Sequence, residues 1–379
     1  MLRKGLDQIK LEILLPFLIL FPILWISLVQ PFLQQQQALP KTNHQTHLIP
    51  KQASFNQWFS LPALPLPSIN ELVPLKSKIS LTSPLLSSKD KPTIAVIGDT
   101  RSSGFALGPS ARWPSLSQAI LRSDPTLLIH LGDWVKDGQQ IHEWYEVLDS
   151  LRLLNNLPIL SVKGNHDRGG LFEMFHFTPQ PYAPLRLAVV GPILFFLLDS
   201  EAPEQKVRSY LQRFFSSIEQ QAANWTSQEL LRQGIKAKVW IQHRPIWSSG
   251  NHGTDERKWR KWLVPILEKL KVNLMLAGHD HDYERFCPSL GVDSERRCDP
   301  QGVTYVVSGG GASVTVPFPN LAWRDSKKNK ELNNKQRIIF SSKSHYLEMV
   351  ILDSELHIKV WHSSYLGHRE LLDNFAVSL

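Results

Sequence analysis

Five short apolar runs in the C-terminal three quarters of the chain each end in a side chain that can bind a metal ion. Each run has the length and the β-branched or bulky residues of a buried strand, and turn-forming residues follow it at once. The runs cover residues 93–97, 126–131, 159–162, 238–242 and 273–277, and they lead to Asp99, Asp133, Asn165, His243, and the pair His279 and His281. A lone Gly-Asp pair or a single histidine at a strand end is weak evidence for a metal site. Five strands in one chain that all end in possible ligands favour a shared site over unrelated structural residues.

Amphipathic helical patterns lie between these runs. Residues 141–154 place their apolar side chains on one helical face, residues 259–270 repeat the pattern, and Pro114 marks the start of a third helix. Strands that alternate with helices predict an open α/β sheet, and ligands of such sheets bind beyond the carboxyl ends of the strands. We therefore expect the six polar side chains to meet at one rim.

The chemistry of this set indicates divalent metal ions. Carboxylate, imidazole and amide oxygen groups suit Mn, Zn or Fe. An aspartate can bridge two ions about 3.5–4 Å apart, which is the arrangement that two-metal enzymes use on phosphate esters. The residues alone therefore predict a two-metal hydrolase on an α/β-type sheet.

The motifs, in this order, resemble those of the calcineurin-like metallophosphoesterases, and of their purple acid phosphatase branch in particular. The family pattern is GD, a second GD, GNH followed by an acid, a later His, and GHxH. Here the motifs read Gly98-Asp99, Gly132-Asp133, Gly164-Asn165-His166-Asp167, Gln242-His243-Arg244-Pro245 and Gly278-His279-Asp280-His281. The resemblance covers about residues 93–312, and the continuation at residues 282–285, Asp-Tyr-Glu-Arg, is similar to the purple acid phosphatases.

The resemblance implies a fold and a role for each motif residue. The fold would be two β-sheets packed face to face and flanked by helices, with residues 345–352 and 355–361 as a hairpin that completes the second sheet. Two metal ions would be bound, the first by Asp99, Asp133 and His281 and the second by Asp133, Asn165, His243 and His279. A metal-bridged hydroxide would attack phosphorus in line, and His166 would protonate the leaving oxygen as a general acid.

Two positions depart from the family pattern, and both belong to the first metal site. Many members have Asp-x-His at the first motif, where this chain has Arg101 in place of the histidine. Purple acid phosphatases have a tyrosine three residues after the second aspartate, where this chain has Lys136. The first site therefore lacks an expected ligand, so that water fills the gap or the ion binds weakly. Other relatives have an acid at this second position that orients the catalytic histidine, and the nearest acid here is Asp137, one residue later.

Two further side chains are candidates for contact with the substrate. A guanidinium can hold phosphate oxygens through two hydrogen bonds, so Arg101 either contacts the substrate or forms a surface salt bridge or packing contact. His252 lies in the small and polar segment 247–253 after the fourth strand. We expect this segment to form a rim loop from which His252 reaches the leaving group. His130 and His142 are expected to be a core residue and a helix residue.

The first 90 residues differ in composition from the rest. Residues 13–29 contain no charge and follow Arg3, Lys4 and Lys10, so residues 1–33 are predicted to be a cytoplasmic flank and a signal anchor, a transmembrane helix. A cleaved signal peptide and a buried core helix are the alternatives. Residues 1–90 contain ten of the 26 prolines and one of the 20 glycines. Residues 34–90 are therefore predicted to be an extended Pro-, Gln- and Ser-rich tether.

These segments would place the metallophosphoesterase domain, residues 91–379, in the periplasm or outside the cell. It would be anchored to the membrane, or secreted if the anchor is cleaved. In such a compartment a disulfide between Cys287 and Cys298 is expected, with two free thiols or a metal-binding pair as the alternatives. The net charge of +8 is divided equally between residues 1–90 and residues 91–379. The domain is therefore only mildly basic, and no nucleic-acid partner is expected.

The sequence thus predicts metal-dependent hydrolysis of phosphate esters. Phosphomonoesters are favoured over diesters, and the substrate is a phosphorylated small molecule or macromolecule. The alternative is a catalytically silent anchored protein that binds a phosphorylated ligand or partner in a degenerate cleft. The missing first-site ligand favours this alternative, whereas His166 and the complete second site favour the enzyme.

Overall fold

A computed structural model describes most of the chain from Pro92 onward. The described residues are 92–102, 110–155, 157–174, 183–220, 234–250, 252–253, 257–292, 295–311 and 336–379. The predicted anchor, residues 1–33, and the predicted tether, residues 34–90, lie outside them. Within the described part of the chain, no helix is long and apolar enough to cross a membrane.

Strands and helices alternate in the first half of the described chain, and strands dominate afterwards. The helices are α1 (Trp113–Leu121), α2 (Ile141–Ser150), α3 (Leu171–Met174), α4 (Glu204–Gln220) and α5 (Arg260–Lys269). The strands are β1 (Ile94–Ile97), β2 (Leu127–His130), β3 (Ile159–Ser161), β4 (Leu185–Val190), β5 (Ile193–Leu198), β6 (Ala237–Gln242), β7 (Leu274–Ala277), β8 (Tyr283–Phe286), β9 (Ser289–Leu290), β10 (Arg297–Cys298), β11 (Thr304–Ser308), β12 (Arg337–Ser341), β13 (His345–Leu352), β14 (Glu355–Ser363) and β15 (Arg369–Ser378). The three helices expected from the sequence are α1, α2 and α5, so these predictions are confirmed.

Two mixed β-sheets contain nearly all of these strands. The first has the order β15-β14-β13-β1-β2-β3, and the second has the order β12-β8-β11-β7-β6-β5-β4. Strands β1 to β3 are parallel, as are β5, β6, β7 and β11. The two-sheet architecture is the one that the family resemblance implies. The single open sheet expected from strand–helix alternation is wrong, because β6 and β7 pair in the second sheet while β1, β2 and β3 pair in the first.

The main core lies between the two sheets. Alternate residues of β6, Val239 and Ile241, belong to the same buried cluster as Ile94 and Val96 of β1. Trp240 lies between them in sequence and belongs to a second cluster, with apolar residues of α4 and α5 on the outer face of the second sheet. Successive residues of β6 thus face opposite sides of the second sheet, and both sides are covered by apolar side chains. This packing holds the strands in place and therefore fixes where their carboxyl ends lie.

The predicted C-terminal hairpin is present as β13 and β14, which pair antiparallel along their length. The turn contains Asp353, whose φ is 55°. However, β13 pairs with β1. The hairpin therefore extends the first sheet, and its predicted place in the second sheet is wrong. Leu347 and Met349 of β13 belong to the same apolar core as Ile94 of β1, and this contact explains why β13 pairs in the first sheet.

The predicted disulfide joins Cys287 and Cys298, 11 residues apart. We expect the Cys287→Ser/Cys298→Ser double variant to lose about 3 kcal/mol of unfolding free energy, because the bond restricts a loop of this length in the unfolded chain. Urea denaturation of the full-length protein measures this loss. A double variant as stable as the wild type would contradict the expectation, and the wild type under reducing conditions is the matched control.

Candidate metal centre

The predicted metal ligands lie just beyond the carboxyl ends of five strands. Asp99, Asp133 and Asn165 follow β1, β2 and β3 of the first sheet, whereas His243 and His279 follow β6 and β7 of the second. Four of the five are almost fully buried, and Asn165 is partly exposed. Because the sheets pack face to face, the strand ends of both sheets meet in one place.

Three of these residues form a compact group. Asp99, Asp133 and His243 each offer one ligand atom within 4.8 Å of the others. His243 Nε2 lies 3.0 Å from Asn165 Oδ1 and 3.5 Å from Asp133 Oδ1. The other ring nitrogen, Nδ1, donates to the carbonyl of Leu131 at 2.8 Å. A hydrogen bond of this kind orients a histidine so that its second nitrogen faces a metal ion.

The two histidines of the last motif join this group through Asp99. His281 Nε2 lies 3.5 Å from Asp99 Oδ1. Asp99 Oδ2 accepts a hydrogen bond from the backbone N–H of His279 at 2.9 Å, whereas Oδ1 is buried without a hydrogen-bond donor. A buried carboxylate oxygen without a donor is costly unless a cation satisfies it. The structure therefore brings five of the predicted ligand side chains together, and the ring centroid of the sixth, His279, lies 5.0 Å from that of His243.

The backbone is strained at three of the predicted ligands. Asp99, Asp133 and His279 have φ angles of 56°, 61° and 74°. This left-handed region costs a non-glycine residue about 1–2 kcal/mol, and such strain concentrates at functional sites. The packing is equally tight, because a Cβ atom on Gly278 would lie 2.6 Å from Asp99 Oδ2. Only glycine fits at this point of the last motif.

The electrostatics of the centre favour a bound cation. Burial alone would raise the pKa of Asp133, but His243, His166 and Arg101 together hold that pKa well below its usual value. Burial likewise opposes a charge on His243, yet Asp133, Asp99 and Glu201 raise its pKa above the usual value. The negative potential that attracts a proton to His243 also attracts a metal cation. Asp133, Asn165 and His243 therefore fit a divalent ion, whereas Nε2 of His279 already accepts a hydrogen bond from Arg244.

His166 is held beside these ligands in one orientation. Its backbone N–H donates to Asp133 Oδ1 at 2.9 Å, and its ring Nδ1 lies 2.7 Å from the carbonyl oxygen of Lys136. Because a carbonyl only accepts, Nδ1 carries a proton and Nε2 is the nitrogen that can exchange one. Asp137 does not orient this ring, since its Oδ1 accepts from the backbone N–H of Gln139 at 3.2 Å and pairs with Arg168 at 3.6 Å.

Both candidate substrate residues lie at the centre. Arg101 Nε donates to Asp133 Oδ2 at 3.1 Å, so it forms an ion pair with a predicted ligand and not with the protein surface. His252 Nδ1 lies 3.0 Å from Asp280 Oδ1, and its ring stacks on His279 with the centroids 4.0 Å apart. The His252 side chain is 45% exposed, so it reaches the edge of the centre that faces solvent.

Sequence reasoning assigned no role to two residues that support the centre. Arg244 donates to His279 Nε2 at 3.2 Å and forms an ion pair with Glu201 at 2.7 Å, so it orients that histidine. Asp167 accepts four backbone N–H bonds, from Asp133, Trp134, Val135 and Gly164, at 2.8–3.3 Å. It thereby ties the loop after β2 to the loop after β3. Both residues lie inside the motifs and close to predicted ligands, and this position in the sequence could have indicated that they support the site.

Comparison with known proteins agrees with this geometry. The family model described as calcineurin-like phosphoesterase matches residues 92–283, half of the chain. The chain belongs to the calcineurin-like phosphoesterase family. The matched region includes all five motifs and therefore every predicted ligand.

The relatives lie in the purple acid phosphatase branch of this family. Mouse tartrate-resistant acid phosphatase type 5 is 26% identical over 266 residues, which are 60% of this chain and 76% of the mouse protein. Probable inactive purple acid phosphatase 24 of Arabidopsis thaliana is 23% identical over 234 residues, 52% of this chain and 36% of the plant protein. The chain thus spans about a third of the length of this relative and of two further probable inactive purple acid phosphatases of Arabidopsis thaliana.

A solved structure supports the fold. The purple acid phosphatase PPD1 from yellow lupin (Lupinus luteus) seeds has a TM-score of 0.55 and 17% identity, with 76% of this chain and 54% of that chain covered. This similarity concerns the arrangement of the two sheets. It agrees with the strand order that places the predicted ligands at one edge.

The hydrogen bonds of Asp167 lead to a stability prediction. We expect Asp167→Ala to lower the free energy of unfolding by about 3 kcal/mol, because four backbone N–H groups at a buried site lose their acceptor. Asp137→Ala is the matched control and should change the stability by less than about 1 kcal/mol, because its side chain lies at the surface. Urea denaturation measures both variants. Equal losses in the two would show that Asp167 does not hold the loops together.

Two fully buried histidines behind the centre are held in the neutral form. His130 Nδ1 accepts from the backbone N–H of Gly132 at 3.2 Å, and its Nε2 lies 2.9 Å from Thr100 Oγ1. His345 Nδ1 donates to the carbonyl of Lys343 and its Nε2 accepts from Ser308 Oγ, both at 2.9 Å. Burial lowers the pKa of His130 well below its usual value and that of His345 to about 4.

These histidines make the protein less stable in acid. The unfolded chain binds a proton at each histidine near pH 6.5 while folded His345 stays neutral to about pH 4, so stability falls as the pH falls through this window. For His345 the loss of unfolding free energy between these two pH values is about 3 kcal/mol. The difference in unfolding free energy between pH 7.5 and pH 4.5 should therefore shrink in His345→Gln. A variant with the same pH dependence as the wild type would count against this.

Proposed function

We propose that the protein is a metal-dependent phosphoesterase that hydrolyses phosphate monoesters. The observation that carries the proposal is the placement of His166. It directly follows the candidate ligand Asn165, bonds Asp133 through its main chain, and has one ring nitrogen bound to Lys136. A protein that only binds phosphate has no need for an imidazole held in one orientation beside a metal site.

The metal ion implied by the family would be held by Asp133, Asn165 and His243, and by His279 once its ring nitrogen is released from Arg244. When bound, such an ion polarises a phosphoryl oxygen and lowers the pKa of a water molecule. The donor set of carboxylate, amide oxygen and imidazole suits Mn, Zn or Fe. The buried, negatively charged surroundings of His243 support this assignment.

His166 would act as the general acid of the reaction. The carbonyl of Lys136 keeps Nδ1 protonated, so Nε2 is the nitrogen that gives a proton to the leaving oxygen. A positioned general acid contributes about 10²–10⁴-fold to a rate. His252, which Asp280 holds at the exposed edge, would contact the leaving group from the opposite element, since it follows β6 and His166 follows β3.

The monoester preference is supported by charge. A phosphomonoester dianion has more negative charge than a diester, and guanidinium groups bind such oxygens in charge-assisted hydrogen bonds. Two guanidiniums lie within hydrogen-bond distance of predicted ligands, Arg101 at Asp133 and Arg244 at His279. We propose that Arg101 contacts the phosphate.

The test is hydrolysis by the full-length protein loaded with Mn, Zn or Fe. One chromogenic phosphomonoester and one diester are offered to the wild type, to His166→Ala and to His142→Ala, in which an exposed histidine of α2 is replaced. We expect kcat on the monoester to fall about 10²–10⁴-fold in His166→Ala, with its metal content unchanged, because proton transfer to the leaving oxygen is lost. His142→Ala should retain the wild-type rate, and equal rates in all three proteins would refute the role of His166.

The alternative function is binding of a phosphorylated ligand without hydrolysis. Two observations favour it: the departures at Arg101 and Lys136, and the names of plant relatives such as probable inactive purple acid phosphatase 24. Absence of turnover with all three metals, together with phosphate binding in calorimetry, would select this alternative.

We also propose that the phosphoesterase domain works outside the cytoplasm. The disulfide between Cys287 and Cys298 supports this location, since such bonds persist in oxidising compartments. The membrane anchor, the tether and the boundary at residue 91 remain predictions from the sequence.

A further inference from the structure

We propose that this chain binds one metal ion and that the guanidinium of Arg101 takes the place of the second. The inference concerns the number of ions, so it holds whether or not the protein hydrolyses phosphate. It corrects the two-ion expectation that the motifs suggest. Four observations carry it: the contacts of Asp133, the main-chain position of Arg101, the burial of the pair, and the spacing of the ligand atoms.

The two oxygens of Asp133 have different partners. Oδ1 faces the second predicted site, because it lies 3.5 Å from His243 Nε2 and accepts from the N–H of His166 at 2.9 Å. Oδ2 accepts from Arg101 Nε at 3.1 Å. A carboxylate can bridge two ions through both oxygens or through one. Because Arg101 binds Oδ2, only Oδ1 remains open to metal ions, and Oδ1 already faces His243 and His166.

The main chain holds Arg101 in this position. Its backbone N–H donates to the carbonyl oxygen of Asp133 at 3.2 Å, in addition to the side-chain contact. Two hydrogen bonds thus join the same pair of residues, one from each part of Arg101. The guanidinium is therefore placed by the loop after β1 and not by a long, freely rotating side chain alone.

The charges of this pair are poorly screened by solvent. The side chain of Arg101 is 16% exposed and that of Asp133 is 2% exposed. A guanidinium stays charged at every accessible pH. A divalent ion next to it would meet strong repulsion, because charges near 4 Å apart interact much more strongly in a protein interior than in water. Arg101 therefore supplies one positive charge and excludes another.

A single ion accounts for three of the predicted ligands, and the His281 Nε2 atom lies only 3.5 Å from one of them, Asp99 Oδ1. Asp99, Asp133 and His243 have ligand atoms within 4.8 Å of one another, so one ion at Asp133 and His243 can also reach Asp99. This gives the buried Asp99 Oδ1, which has no hydrogen-bond donor, a cation as its partner. Lys136 stands at the other departure from the family pattern, so the tyrosine oxygen that purple acid phosphatases have there is absent.

The number of ions can be counted without measuring turnover. The full-length wild type is saturated with Mn²⁺ or Zn²⁺, passed over a desalting column and analysed for bound metal. We expect one ion per chain. Arg101→His removes the charge and adds a neutral ligand, so it should bind two ions, the second at least tenfold tighter than any second ion in the wild type. Arg101→Lys keeps the charge and should bind one.

Controls separate this effect from a general change in the protein. Arg152→His makes the same exchange at a residue whose side chain is 78% exposed, and it should bind one ion. Electron paramagnetic resonance of the Mn²⁺-loaded proteins gives an independent readout. Isolated ions are expected in the wild type and a spin-coupled pair in Arg101→His, because ions that share a bridge lie about 3.5–4 Å apart.

Two bound ions in the wild type would overturn the inference, and so would none. One ion in a correctly folded Arg101→His would overturn the role of Arg101. Should that variant misfold by circular dichroism, Arg101→Gln removes the charge without adding a ligand and should still tighten binding of a second ion at least tenfold. One bound ion without turnover would support this inference and overturn the proposed enzymatic function. Two bound ions with turnover would overturn this inference and support the proposed enzymatic function.

Discussion

The buried carboxylate of Asp133 is the group on which the rest of the centre depends. It follows β2 and contacts residues that follow three other strands: His166 after β3, His243 after β6 and Arg101 after β1. A carboxylate that is 2% exposed can remain charged only where donors or cations satisfy it. The loops that follow strands of both sheets therefore have to lie close to the carboxylate of Asp133.

The sheet sandwich makes this convergence stable. Apolar residues of both sheets fill the space between them, so the carboxyl ends of the strands cannot move independently. The left-handed backbone at Asp99, Asp133 and His279 is unfavourable by itself. At Asp133 it persists because the strand below and the four N–H bonds to Asp167 hold the surrounding loops in place. A rigid frame thus holds a strained, negatively charged site that is suited to a cation.

Much of the fold and of the centre could be predicted from motif spacing, although not every element. The hairpin of β4 and β5 was missed, although Leu185–Val190 and Ile193–Leu198 flank a Gly-Pro turn and alternate between the two apolar clusters. The place of β13 beside β1 could not be predicted either. Pairing between strands some 250 residues apart depends on which apolar faces match in three dimensions, and local patterns do not record it.

The sequence by itself determined which six residues are candidate ligands and where His166 lies, because strand ends and motif spacing are local properties of the chain. It predicted the disulfide only as one of three states of the two cysteines, and the structure joins them. The tertiary structure decided what surrounds those residues. It placed the guanidinium of Arg101 on Oδ2 of Asp133 and stacked the ring of His252 on that of His279. It also showed that the carbonyl of Lys136, and not Asp137, orients the ring of His166. These contacts join residues from different strands of two sheets. Only the packing of the sheets brings such residues together.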